Sequence, residues 1–128
     1  MAAVFGRPFA IPFGGKTIYN YAEDTAAACI MASRAKVAGA QVVNLPGSTV
    51  DMSEVVAAIE AAVPEARGLI TYGETTLPFP HDIELDPASP VAGAPVTPFE
   101  EATALTVALF RAARDAGRLV PAEHGLPD

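Results

Sequence analysis

Residues 16–45 read KTIYNYAEDTAAACIMASRAKVAGAQVVNL, and the hydrophobic period changes twice along them. Residues 16–21 are short and rich in Ile and Tyr, which favours an extended strand. The following acids, Glu23 and Asp24, open an alanine-rich run that holds Arg34 and Lys36 near its end and stops before Gly39. Acid at the positive end of the peptide dipole, base at the negative end and a glycine terminator predict a helix over 24–36. Residues 41–45 (QVVNL) form a short apolar run halted by Pro46-Gly47, which predicts a second strand and a turn. A helix between two strands is an α/β layer, and the rest of the chain reads as a small α+β cap on it.

On the N-terminal side, Phe9, Ile11 and Phe13 alternate with smaller residues, and Gly14-Gly15 offers the positive φ of a hairpin turn towards residues 16–21. Pro8 and Pro12 lack a ladder N–H and confine that first arm to an edge. On the C-terminal side, Asp51-Met-Ser-Glu54 is a capping box, with Val50 and Val55 at the staple positions. The helix predicted over 52–63 buries Met52, Val55, Val56, Ile59 and Val63, and Pro64 ends it. Residues 68–73 (GLITYG) predict a short strand. Residues 74–98 hold six of the twelve prolines and predict an extended wrap. Thr97-Pro98-Phe99-Glu100 opens a last helix with Pro at its first position, running to Ala116 before Gly117. Its expected apolar side is Ala102, Leu105, Thr106, Leu109, Phe110 and Ala113. The expected organisation is one domain over 1–118 and a loose tail over 119–128, with about three helices and three to four short strands.

Composition narrows the function classes. The 128 residues carry eight Lys and Arg against fifteen Asp and Glu, for a net charge of −7. That balance argues against nucleic-acid binding, which needs a basic stripe to neutralise phosphates. No apolar run reaches the ~20 residues of a bilayer span, and the first residues lack a leader's pattern. The chain is therefore expected to be soluble, cytoplasmic and without a membrane partner. One cysteine excludes an intrachain disulfide, and Cys29, between Ala28 and Ile30, reads as a small core residue.

Catalytic groupings are scarce. His81 and His124 lie in the Pro-rich stretch and the tail without metal-pair spacing; His81 reads as a solvated or substrate-lip residue and His124 as structural or disordered. Glu23 and Asp24 read as helix-opening acids rather than an acid/base pair, because neighbours diverge on a helix. Asp82, Glu84 and Asp86 read as a solvated extended segment in preference to a cation loop, having no glycine at the required offset. Arg111, Arg114 and Arg118 read as dipole complement and surface charge rather than an anion site. No glycine triplet has dinucleotide spacing, and neither Lys16 nor Lys36 has a tyrosine four residues before it. No catalytic, cofactor-binding or metal-ligating residue is assigned.

Residues 17–28 (TIYNYAEDTAAA), then VVNLPGSTVDMSEVVAAIE, LPFP and TPFEEATALTVALFRAARDAGRL, resemble in order and spacing the C-terminal half of NAD(P)-dependent epimerase/dehydratases of the extended short-chain dehydrogenase/reductase class. The acidic helix start of that family corresponds to residues 22–26, its Tyr-Asn-Val-Gly-like strand to 43–47, and its Thr-Pro-Leu-Glu-Glu helix start to 97–102. The resemblance covers residues 5 to 119. It implies the C-terminal part of an extended Rossmann-type enzyme, a substrate-binding portion of an oxidoreductase or isomerase acting on a small polar or sugar-like substrate. The Gly-rich loop and catalytic Ser/Thr, Tyr and Lys of the family lie in its nucleotide-binding half, which this chain lacks. NAD or NADP is thus implied for the complete enzyme and none for this chain alone, which is expected to be inactive. Thr17 stands where sugar-nucleotide members carry a diphosphate-gripping arginine, which favours a smaller polar or sugar-acid-like substrate.

The hairpin and Pro-rich lip that the resemblance places over the substrate nominate Phe13, Tyr19, Asn20, Phe79 and His81 as substrate-binding. The competing reading is that these aromatics fill a small core. The alternative function is a non-enzymatic α/β module that oligomerises or binds a protein partner. An unpaired strand over 41–45 would favour self-association or docking of the nucleotide-binding half.

Overall fold

The computed structural model describes residues 1–80 and 83–126. Over these residues the chain is mixed α/β, with three α-helices and four short strands in two separate pairs. Strand β1 (Phe9–Ile11) lies parallel to β4 (Ile70–Tyr72), and β2 (Lys16–Tyr19) runs antiparallel to β3 (Ser48–Asp51). The helices are α1 (Ala22–Arg34), α2 (Met52–Ala62) and α3 (Phe99–Asp115).

The hairpin expected across Gly14-Gly15 does not form. β1 takes its partner from Ile70–Tyr72, which brings the matching apolar residues, while β2 pairs with the residues following Pro46-Gly47. Gly15, at φ 75°, turns the chain between the two pairs, and a Cβ there would stand 2.7 Å from Thr76 Cγ2. The strand expected over 41–45 is also absent. A strand persists only where a neighbour accepts its backbone groups, and the ladder goes to Ser48–Asp51 instead.

The capping box forms as the sequence predicts. Asp51 Oδ1 accepts from the Ser53 N–H at 3.0 Å, and the Asp51 N–H donates to Glu54 Oε2 at 2.7 Å. α2 then buries Met52, Val55 and Ala58, and Val63 closes it before Pro64. The main core gathers Val63, Ala66, Ile70, Val107 and residues 2–4 of an N-terminal 3-10 turn, Ala2–Phe5. The segment expected to be a loose tail instead forms a 3-10 turn over Pro121–His124 and places Leu126 in this core, 4% exposed. Apolar contact with the N-terminal turn explains the docking.

Helix periodicity corrects two further expectations. On α1 the covered stripe runs through Asp24, Ala28, Met31 and Ala35, and Cys29 sits about 100° round the helix from Ala28. Cys29 is therefore exposed rather than core. On α3 the buried stripe is Ala102, Val107 and their neighbours Thr103, Thr106 and Phe110, and it leaves Leu105 and Leu109 outside it. Pro98, not Thr97, occupies the cap position of α3, so Phe99 is its first residue.

Candidate functional site

The ends of β2 and β3 and the starts of α1 and α3 meet around an open cleft of about 290 Å³. Tyr19 pairs with Ser48 at one end of the antiparallel ladder, so both face the same place; Lys16 and Asp51 stand at the other end. Tyr21 is the residue before α1 and Phe99 the first of α3. Thr103 and Thr106, one and two turns further along α3, line the floor.

Two contacts hold the mouth in shape. The Thr97 N–H donates to Asp24 Oδ2 at 2.6 Å and the Thr97 hydroxyl to Asp24 Oδ1 at 3.0 Å, a tie between α1 and the start of α3 across 73 residues of sequence. Asn20 Nδ2 donates to the Pro46 carbonyl at 2.6 Å. Gly47 makes that approach possible, because a Cβ there would lie 2.7 Å from both Asn20 Nδ2 and the Tyr19 carbonyl oxygen. The Tyr19 and Phe99 rings meet at 5.3 Å with a 59° tilt and form an apolar wall.

Both tyrosines of the cleft hold their protons more firmly than a free phenol. Burial raises Tyr19, aided by the negative charge of Asp51. Tyr21 is raised by desolvation and by the negative charges of Glu23 and, more weakly, Asp24. A tyrosine that serves as a general base needs the opposite shift. These two are equipped to bind and orient.

The sequence nominees divide among different places. Tyr19 and Asn20 line the cleft. Asn20 also borders a second hollow of about 430 Å³ with Phe79, Val43, Leu45 and Ile83, where Phe79 is 63% exposed. Phe13 is half-buried beside Gly14 and lines neither. His81 lies outside the described residues, as does Asp82. Ser48, Thr97, Phe99, Thr103 and Thr106 were not nominated. The signal for them is the helical spacing that puts Phe99, Thr103 and Thr106 on one face of α3.

Other candidate clusters are otherwise engaged. Arg111 pairs with Glu65 at 3.0 Å, and Arg114 pairs with Asp115 and donates to the Val4 carbonyl. Asp86 accepts the Ala88 N–H in a local turn. Among the described residues no group of three His, Cys, Asp or Glu converges, and no helix is long and apolar enough to cross a membrane. No protein-family model, curated protein or solved structure compared with the chain matches it.

Proposed function

We propose that the chain is the substrate-binding portion of an NAD(P)-dependent epimerase/dehydratase-like oxidoreductase, acting on a small polar or sugar-like molecule, with cofactor and catalytic groups on a separate nucleotide-binding half. One observation carries this reading. Three stretches that bear the resemblance, residues 19–24, 46–48 and 97–99, lie far apart in sequence and border one cleft, where Asp24 grips Thr97 and Asn20 grips Pro46. Motifs that have no local reason to co-occur acquire one if they build a common wall.

The cleft does not fit the dinucleotide itself. A pyrophosphate is commonly held by a glycine-rich turn at a helix start or by a cation, whereas among the described residues no Lys, Arg or His lines this cleft and the acids Glu23 and Asp24 stand beside it. What the chain's own residues do is hold a substrate: the Tyr19–Phe99 wall excludes water from one side, and the hydroxyls fix orientation. The purified chain is expected to show no NAD(P)-dependent turnover. Supplying a nucleotide-binding half with its Gly-rich loop and Tyr/Lys pair is expected to give activity that Asp24→Ala abolishes. Turnover by the chain alone would contradict the assignment of roles.

A second reading, a non-enzymatic module that associates with itself or with a protein partner, has its own observation. Residues 36–47 make no backbone–backbone hydrogen bond among the described residues, and Val42 is fully exposed in the middle of them. Sedimentation at micromolar concentration separates the readings, since self-association without any cleft ligand favours the module.

A further inference from the structure

The side of α3 opposite its buried stripe is apolar and exposed. Ala104, Leu105, Ala108, Leu109 and Ala112 recur there at helical spacing, with Leu105 42% and Leu109 60% exposed. Alanines on a helix surface are ordinary, but two leucines one turn apart among them make the strip continuous. The charges of the helix are divided between its ends, and only some are answered within the chain. Arg111 holds Glu65 at 3.0 Å and Arg114 holds Asp115 at 2.9 Å. Glu100 and Glu101 in the first turn, and Arg118 just past the last, make no side-chain ion pair or hydrogen bond among the described residues. Gly117, at φ 65°, and the Arg118 N–H, which donates to the Ala113 carbonyl at 2.9 Å, close the helix and fix Arg118 at its end. The strip thus ends in unanswered acids on one side and an unanswered base on the other.

We propose that this face of α3 pairs with the same face of a second copy of the chain, antiparallel about a two-fold axis near Ala108 and Leu109. Antiparallel pairing sets the acid turn of each helix beside Arg118 of the other and opposes the two macrodipoles, whereas parallel pairing would set Glu100 and Glu101 against their own copies. A partner of a single charge sign would match only one end of the strip, and that singles out a second copy. The two-fold also packs leucine flank on leucine flank and alanine flank on alanine flank, where the small side chains let the axes approach. Asp115 borders the strip as well, but its charge is answered by Arg114 of its own chain. The strip is about 24 Å long and covers roughly 300–400 Å² per copy, about half of the ~800 Å² of a standard interface. The pairing is therefore weak, with a dissociation constant on the order of 0.1–1 mM, and leaves the chain monomeric at micromolar concentration. It stands independently of the substrate-binding reading and uses a different surface from residues 36–47.

The test is sedimentation equilibrium of the intact chain up to about 1 mM, with amide spectra recorded over the same range. The expected result is a monomer–dimer equilibrium, with concentration-dependent shifts at residues 104–112. Leu109→Glu, at an exposed position near the two-fold, is expected to weaken it at least tenfold and leave the spectrum elsewhere unchanged, while Val42→Ser leaves the association as it was. Arg118→Glu is expected to weaken it at least threefold, and adding Glu101→Arg to restore it, because the reversed charges meet again only across an antiparallel pair. A monomer at every concentration overturns the proposal. Association that Val42→Ser removes and Leu109→Glu does not overturns it too, and moves the contact to the open segment. Failure of the double reversal to restore what Arg118→Glu loses overturns the antiparallel arrangement.

Discussion

Two regions of this chain solve the problem of their backbone groups in opposite ways. Around α2, the β1–β4 pair and the distal half of α3, side chains from five separate stretches close on Val63 and Ala66, both fully buried, and the C-terminal Leu126 completes the cluster. Around residues 35–47 and 74–98 the backbone is largely unladdered; among the described residues there, only Val91, in a turn near Met31 of α1, is deeply buried. The cleft sits between them, with its floor on α3 and its mouth held by the paired Thr97–Asp24 bonds and the Asn20–Pro46 bond. The lesson is a division of labour in which the closed region supplies stability and the open one supplies recognition surface.

The sharpest way to break that contrast is to truncate equivalent side chains in the two regions. Met52→Ala and Leu126→Ala are each expected to cost about 2–5 kcal/mol in chemical unfolding, since each empties a site with no solvent access. Val42→Ser is expected to stay within about 0.5 kcal/mol, as for a surface position. A large loss at Val42 in a monomeric chain would erase the distinction. At the boundary, Gly47→Ala is expected to cost about 1–3 kcal/mol, because the new Cβ meets the Tyr19 carbonyl, which cannot swing aside as a side-chain tip would. Asp24→Asn, which keeps the shape and removes the charge that accepts from Thr97, is expected to cost about 1 kcal/mol, discounted for its partial exposure, and to disturb the Thr97 and Phe99 resonances more than those of α2. The smallest effect is a pH dependence. Hydrogen bonds from the Ser53 N–H and hydroxyl hold the Asp51 carboxyl below its usual range, with Lys16 assisting. A depressed folded-state value means that its contribution is complete above the unfolded carboxylate value of about 3.9 and is lost as pH falls through the folded one. Asp51→Asn, itself a good cap, is expected to flatten the acid limb of the urea midpoint and leave neutral-pH stability nearly unchanged.

How much of this was legible in the sequence follows from the range of each interaction. The capping box at Asp51 and Glu54, the stop at Pro64 and the end of α3 before Gly117 were legible because every partner lies within one helical turn. Strand partners were not. The alternation in residues 9–13 shows that a strand forms but not that its ladder is with Ile70–Tyr72, and the apolar run 41–45 marks a strand former without saying whether a neighbour exists to receive it. Cys29 and Leu109 were misplaced for a related reason. An alanine-rich helix has several faces of similar hydrophobicity, and only tertiary packing chooses between them. Of the site, Tyr19 and Asn20 are legible as an aromatic and an amide at a strand end, whereas Thr103 and Thr106 read as ordinary helix residues and become part of the site only because the start of α3 meets the end of β2 through Phe99 and Tyr19.

Native-state amide hydrogen exchange, at a concentration where sedimentation shows only monomer, tests the division between the two regions most directly. The amides of residues 41–45 are expected to exchange near their unprotected rates, while those of residues 56–62 in α2 are protected to close to the global unfolding free energy. Slow exchange at 41–45 in the monomer would mean that the chain pairs this segment with itself, and that the open region described here is closed in solution.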